Sequence, residues 1–133
     1  MTNTAFALIG FIAWTLALLV LMEIIRTYLV LAGKIPANGF TPDNGNLSPF
    51  MQRLARAHAN CIEGLPVFGG LLAVALILEK TAIIDGLALW FLSARVTQSV
   101  IHLVSTSVAA VSARFAAFAV QIAIDIYWVV ALI

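Results

Sequence analysis

Cysteine is almost absent from this chain: Cys61 stands alone among 133 residues. An intramolecular disulfide is excluded, and a lone thiol offers no metal-ligand spacing. Charge is scarce as well, at 10% of residues against about 25% in soluble domains. With a net charge of +1 and no basic face outside its apolar segments, the chain does not read as a nucleic-acid binder. It has no glycine-rich phosphate loop and no ligand cluster for metal or haem. Internal repeats and low-complexity tracts are missing too. Met-Thr-Asn-Thr-Ala at the N-terminus offers no basic residue, so a signal peptide is not expected and the first apolar segment is expected to be retained.

What is present is apolar: 63% of residues are hydrophobic and the mean hydropathy is +1.09. This composition describes an integral membrane protein. Ala5 to Met22 runs eighteen residues without a charge, close to the ~20 needed to span a hydrocarbon core about 30 Å thick. Four helices are predicted, over 5–32, 49–78, 82–108 and 112–133, as one all-α transmembrane domain covering 1–133. The segment 33–48 is dense in turn formers, and Ser48-Pro49 suits an N-cap followed by a first-turn proline. The other links, near 79–81 and 109–111, are so short that the helices they join are expected to be antiparallel neighbours.

Lys34, Arg53 and Arg56 flank the long loop and Arg114 follows the last turn, whereas the opposite ends carry only Lys80. The positive-inside rule then puts the 33–48 loop in the cytoplasm and both termini outside. Tyr127 and Trp128 suit the outer interfacial belt, with plain packing as the alternative.

Polar residues inside such segments are costly and mark function by default. The densest run is Arg53 to Pro66, Arg-Leu-Ala-Arg-Ala-His-Ala-Asn-Cys-Ile-Glu-Gly-Leu-Pro. At helical spacing Arg53, Arg56, Asn60 and Glu63 fall within an arc of roughly 80°. Two guanidiniums, a carboxamide and a carboxylate on one stripe suit an anionic, hydrogen-bonding ligand, or a lock between helices. His58 lies off the stripe, where a subunit or headgroup contact is expected. Pro66 is expected to kink the second helix and free a carbonyl for Asn60 or another buried donor. Gly69-Gly70 permits a close helix approach.

The other helices carry stripes of their own: Glu23, Arg26 and Thr27; Arg95, Gln98, Ser99, His102 and Ser105; Arg114, Gln121 and Asp125. Arg95, Asp125 and Glu63 lie at similar depth, roughly 20 Å along their helices, and are expected as mutual partners. Glu23 and Arg26 suit an i, i+3 ion pair. His102 reads as a hydrogen-bonded helix contact or a base. Five helix arginines against three helix carboxylates leave an excess of two positive charges, which an anion would offset. An arginine at a helix centre costs about 2.5 to 3.5 kcal/mol on translocon scales, so the excess needs an explanation.

With Arg-Ala-His-Ala-Asn-Cys-Ile-Glu-Gly-Leu-Pro early on the second of four helices, the chain resembles the MAPEG family, the membrane-associated proteins in eicosanoid and glutathione metabolism, and is similar to its bacterial-type members. The resemblance implies a homotrimer with glutathione bound between subunits on the cytoplasmic side. It also implies glutathione transfer to, or glutathione-assisted reduction or isomerisation of, lipophilic electrophiles. Arg56, Asn60, Glu63 and Arg95 match the family's glutathione positions, with Arg53, Arg26 and His102 as further cofactor-binding candidates. Arg114 looks like the helix 4 arginine that members use near the thiol, which makes it the catalytic candidate. Members commonly have a basic residue where this chain has Ala59 and a tyrosine where it has His102. Phe115 and Phe118 stand where tyrosines are usual. Two alternatives follow: a protein of this fold that binds another anionic or lipid ligand without chemistry, and a small transporter or scaffold. Transport calls for a relay continuous across the bilayer, which the apolar outer third does not provide.

Overall fold

Three hydroxyls set the starts of three helices. Thr2 Oγ1 accepts from the Ala5 amide at 3.1 Å, Ser48 Oγ from the Met51 amide at 3.3 Å and Ser107 Oγ from the Ala110 amide at 3.2 Å. Each bond satisfies one of the amides that a helix N-terminus leaves without an internal partner. The computed structural model describes residues 1–133. Its four helices, α1 (Asn3–Leu31), α2 (Pro49–Ile77), α3 (Thr81–Val104) and α4 (Val108–Leu132), are each long and apolar enough to cross a membrane.

The last link falls earlier than the expected 109–111. Helix α3 stops at Val104, and Ser105 to Ser107 form the turn. Ser107 caps α4, and its own amide donates to Ser105 Oγ at 3.1 Å. Hydroxyl side chains that compete for backbone bonds end one helix and start the next.

The expected kink at Pro66 takes a particular form, a five-residue π turn from Leu65 to Gly69 inside α2. Proline has no amide to donate and its ring crowds the carbonyl four residues back, so the α ladder cannot continue through it. Wider spacing relieves this, and the Gly70 amide donates to the Leu65 carbonyl. Asn60 forms no hydrogen bond to a freed carbonyl, contrary to expectation.

Helix α3 is the hub of the bundle. It packs on α1, α2 and α4, whereas the first half of α2 makes no extended contact with α4. One aromatic ring from each helix meets at the centre. Phe91 of α3 lies 6.0 Å from Phe11 of α1, 5.4 Å from Phe68 of α2 and 5.6 Å from Trp128 of α4, centroid to centroid. Trp128 is fully buried, so it belongs to the core and not to an interfacial belt. Gly69 lets α1 come close, since a Cβ there would stand 3.3 Å from Leu8 Cδ1.

Side chains tie the helix ends. Arg53 Nε donates to the Leu103 carbonyl at 2.9 Å and Lys80 Nζ to the Leu132 carbonyl at 3.2 Å. Asp85 accepts from both the amide and the hydroxyl of Thr4. Asp85 lies within α3, as it does within the expected 82–108, so the helix carboxylates number four and not three, and the positive excess is one and not two.

Gly33, at φ +70°, terminates α1 in the left-handed region that glycine enters freely. The loop beyond it is anchored by Asn44, which is fully buried at φ +56°. Asn44 Nδ2 donates to the Met51 carbonyl at 2.7 Å, and Asn44 Oδ1 accepts from Arg26 Nη2 at 2.6 Å and Nε at 3.1 Å. Arg26 Nη2 also donates to the Thr41 carbonyl at 3.2 Å. At the exposed tip, the Thr41 hydroxyl and the Gly45 amide donate to Asp43 and hold its carboxyl below the usual carboxylate range.

Candidate functional site

The first half of α2 sorts its residues by face. Met51, Leu54, Ala57, Cys61 and Gly64 are buried, Arg56 and Glu63 are exposed, and Arg53 and Asn60 are half-buried between them. Across from it, α3 buries Arg95, Gln98, Ser99 and His102. Two further polar contacts hold α2 and α4 to α3. Cys61 Sγ meets Ser99 Oγ at 3.5 Å, and Gln121 Nε2 of α4 donates to Gln98 Oε1 at 2.9 Å. With α2 and α4 each held to α3 but not to each other along their polar halves, a groove opens between them.

Three neighbouring cavities make up this groove. The first, about 210 Å³, is lined by Asn60, Gln98, Arg114, Phe115 and Phe118 among others. The second, about 280 Å³, shares Asn60 and Phe118 with the first and adds Glu63, Gly64 and Arg95. The third, about 350 Å³, shares Val67 and Phe68 with the second and is otherwise walled by Ile122, Asp125, Ile126, Val129 and Val130. The groove thus grades from cationic and amide groups at one end to aliphatic side chains at the other.

Arg114, Asn60, Glu63 and Arg95 come together in this groove. Arg53 and Arg56 line a separate cavity of about 220 Å³ with Gln52 and Thr106. His102 is buried on α3. Arg26 is committed elsewhere: besides the loop it reaches Glu23 at 3.3 Å, the expected i, i+3 pair.

That is the chain's one ion pair, so the expected partnership of Arg95, Asp125 and Glu63 does not form within a single chain. Glu63 stands exposed on α2, and Asp125 faces the apolar cavity. Arg95, 1% exposed, instead lies between two rings, 5.2 Å from the centroids of both Phe11 and Phe68. Desolvated cation–π contacts are worth about 2 kcal/mol each and offset part of the cost of burying the charge. Arg95 Nε has no hydrogen-bond partner. Phe11 and Phe68 were not foreseeable as its walls, because nothing distinguishes such a phenylalanine in sequence from any other apolar helix residue.

Gly64 makes room for this guanidinium. A Cβ there would stand 2.9 Å from Arg95 Nη2 and 3.0 Å from Phe68 Cδ2, both on buried side chains. Gly64→Ala is therefore expected to destabilise the protein by about 1–3 kcal/mol, the usual effect of overfilling a packed interior. Unfolding midpoints in detergent check this, and an unchanged midpoint would show that Arg95 can move aside.

Among known proteins, the family model described as the MAPEG family matches residues 4–133. No curated protein and no solved structure matches the chain.

Proposed function

Because this chain belongs to the MAPEG family, we propose that it is a membrane-bound, glutathione-dependent transferase or peroxidase acting on lipophilic electrophiles in the groove between α2 and α4. The observation that carries this reading is the groove's gradient, with Arg114, Asn60 and Arg95 at one end and an aliphatic chamber at the other. A charged tripeptide and an apolar reactant need such opposite surroundings side by side. None of Arg56, Arg95 and Arg114 has a carboxylate within ion-pair distance, which suits a site awaiting an anion.

Bound glutathione supplies a thiol as nucleophile or reductant. Arg114 favours the thiolate, since a guanidinium a few Å away in a desolvated site stabilises the charged form. Asn60 and Arg95 hold carboxylates or backbone amides of the peptide, Arg56 reaches a further carboxylate from the separate cavity at the subunit boundary, and Glu63 holds the ammonium. Most of the acceleration comes from proximity and electrostatic stabilisation.

The remaining assignments belong to the same proposal. The four helices form one domain and run antiparallel, a reading supported by the Arg53–Leu103 and Lys80–Leu132 contacts at opposite ends of the bundle. Three copies assemble so that Arg56 and Glu63, exposed on a membrane-spanning helix, face a neighbouring subunit instead of lipid, where a bare charge is costly. The 33–48 loop faces the cytoplasm of a bacterial-type host. Arg26 acts by anchoring that loop, and His102 acts by supporting α3 beneath the site.

Thermal stability of the purified protein in detergent tests the reading, because a ligand of the folded state raises stability by mass action. Millimolar glutathione is expected to raise the midpoint saturably, and Arg56→Ala to abolish the rise. Ala59 and His102, in place of the usual basic residue and tyrosine, favour a second reading, a protein binding another anion without catalysis. No shift with glutathione in a well-folded sample would select that one.

A further inference from the structure

Asp125 is the one polar residue lining the apolar chamber at the far end of the groove. It is 7% exposed, and its Oδ1 is buried with no hydrogen-bond partner. Buried polar groups in folded proteins are nearly always paired, and each exception calls for a cause. The obvious internal partner is absent, since Arg95 is held between Phe11 and Phe68 and forms no ion pair with Asp125. The indole one turn on does not serve either: Trp128 Nε1 is buried without a hydrogen-bond partner of its own. The side chains of the remaining walls, Val67, Phe68, Ile122, Ile126, Val129 and Val130, offer neither donor nor acceptor.

We propose that this chamber is a subsite for lipophiles bearing a hydroxyl group, which donates a hydrogen bond to the Asp125 carboxyl while the alkyl chain lies against the aliphatic wall. A cavity of about 350 Å³ is within the range of small-ligand sites, which are mostly apolar with a few placed polar groups that set orientation. A site built to accept a hydrogen bond also discriminates strongly against the analogue that cannot give one, because its own buried group is then left unpaired. The proposal deepens the reading of the groove as an enzyme site by naming the class of its lipophilic reactant. It does not depend on glutathione being the other ligand.

The test compares dodecanol with undecyl methyl ether, isomers of which only the alcohol has a hydrogen-bond donor, by the thermal midpoint of the nanodisc-reconstituted protein without glutathione. Dodecanol is expected to bind about tenfold more tightly, the factor carried by one hydrogen bond to a strongly polar group. Asp125→Leu is expected to erase the preference, and Asp125→Asn, which keeps an acceptor, to retain part of it. Ile126→Trp, on the exposed side of the same chamber, is expected to weaken both ligands together, which keeps the test open if Asp125→Leu does not fold. Equal binding of the two compounds to the wild-type protein, no binding of either, or a preference that survives in Asp125→Leu overturns the proposal. Because glutathione is absent, failure here is separable from failure of the glutathione reading.

Discussion

Arg114→Ala is expected to lower turnover about a hundredfold while changing glutathione affinity less than about threefold, the pattern of a group whose main interaction develops in the transition state. Arg114 sits with Asn60 and Gln98 at the polar end of the groove, where Phe115 and Phe118 keep its surroundings apolar. A guanidinium there stabilises a thiolate more than a thiol. Its removal should therefore also move the rise in rate with pH upward, toward the value near 8.5 of a free thiol. Arg114→Lys keeps the charge but loses the planar fork, and should fall between the two. Steady-state conjugation of a chromogenic lipophilic electrophile, followed across pH, reads both effects. Equal turnover, or a pH profile that does not move, removes Arg114 from the chemistry.

The largest expected effect on stability lies away from the groove, at Asn44. This side chain accepts two bonds from Arg26 and gives one each to the Met51 carbonyl and Met22 Sδ while fully buried, and its backbone is left-handed. Asn44→Ala removes every bond at once, leaves Arg26 without its main acceptor and puts a Cβ without polar compensation at positive φ. A loss of about 2–4 kcal/mol is expected. Asn44→Gly removes the same bonds without the backbone penalty and should lose less. The difference between their unfolding midpoints isolates the conformational share, and accelerated proteolysis of the 33–48 loop should accompany both. If alanine and glycine destabilise equally, the positive φ carries no penalty at this site.

Membrane insertion, the number of helices and the family were legible in the chain for a simple reason. Hydrophobic run length is set by bilayer thickness, and the Arg56–Asn60–Glu63 stripe lies within a single helix, where spacing alone fixes its face. The Ser48 cap was equally local. What stayed hidden depends on contacts between helices. The partner of Arg95 proved to be a pair of rings from two other helices, although depth alone favoured a carboxylate. Trp128 has the amphipathic ring of an interfacial residue, yet Phe91 on the neighbouring helix draws it into the core. The end of α3 falls earlier than expected because apolar residues run on past Ser105, Thr106 and Ser107, and the Ser105 and Ser107 hydroxyls outweigh hydropathy only once their capping bonds form. Arg26 belongs to a polar stripe, but its acceptors lie in a loop whose path no helical periodicity describes.

The π turn at Leu65 to Gly69 bears on how this chain can change in length. Such a turn holds one residue more than the α-helical turn it replaces. Deleting Pro66 itself would return α2 to a regular helix with both of its halves still facing as they do. A deletion in the first half of the helix would instead turn every side chain beyond it by about 100°, pulling Phe68 and Leu72 off the core. The span would shorten by roughly 1.5 Å either way, a mismatch that lipid accommodates at modest cost. Of all the positions along α2, this turn is the one where insertions and deletions separating relatives should collect.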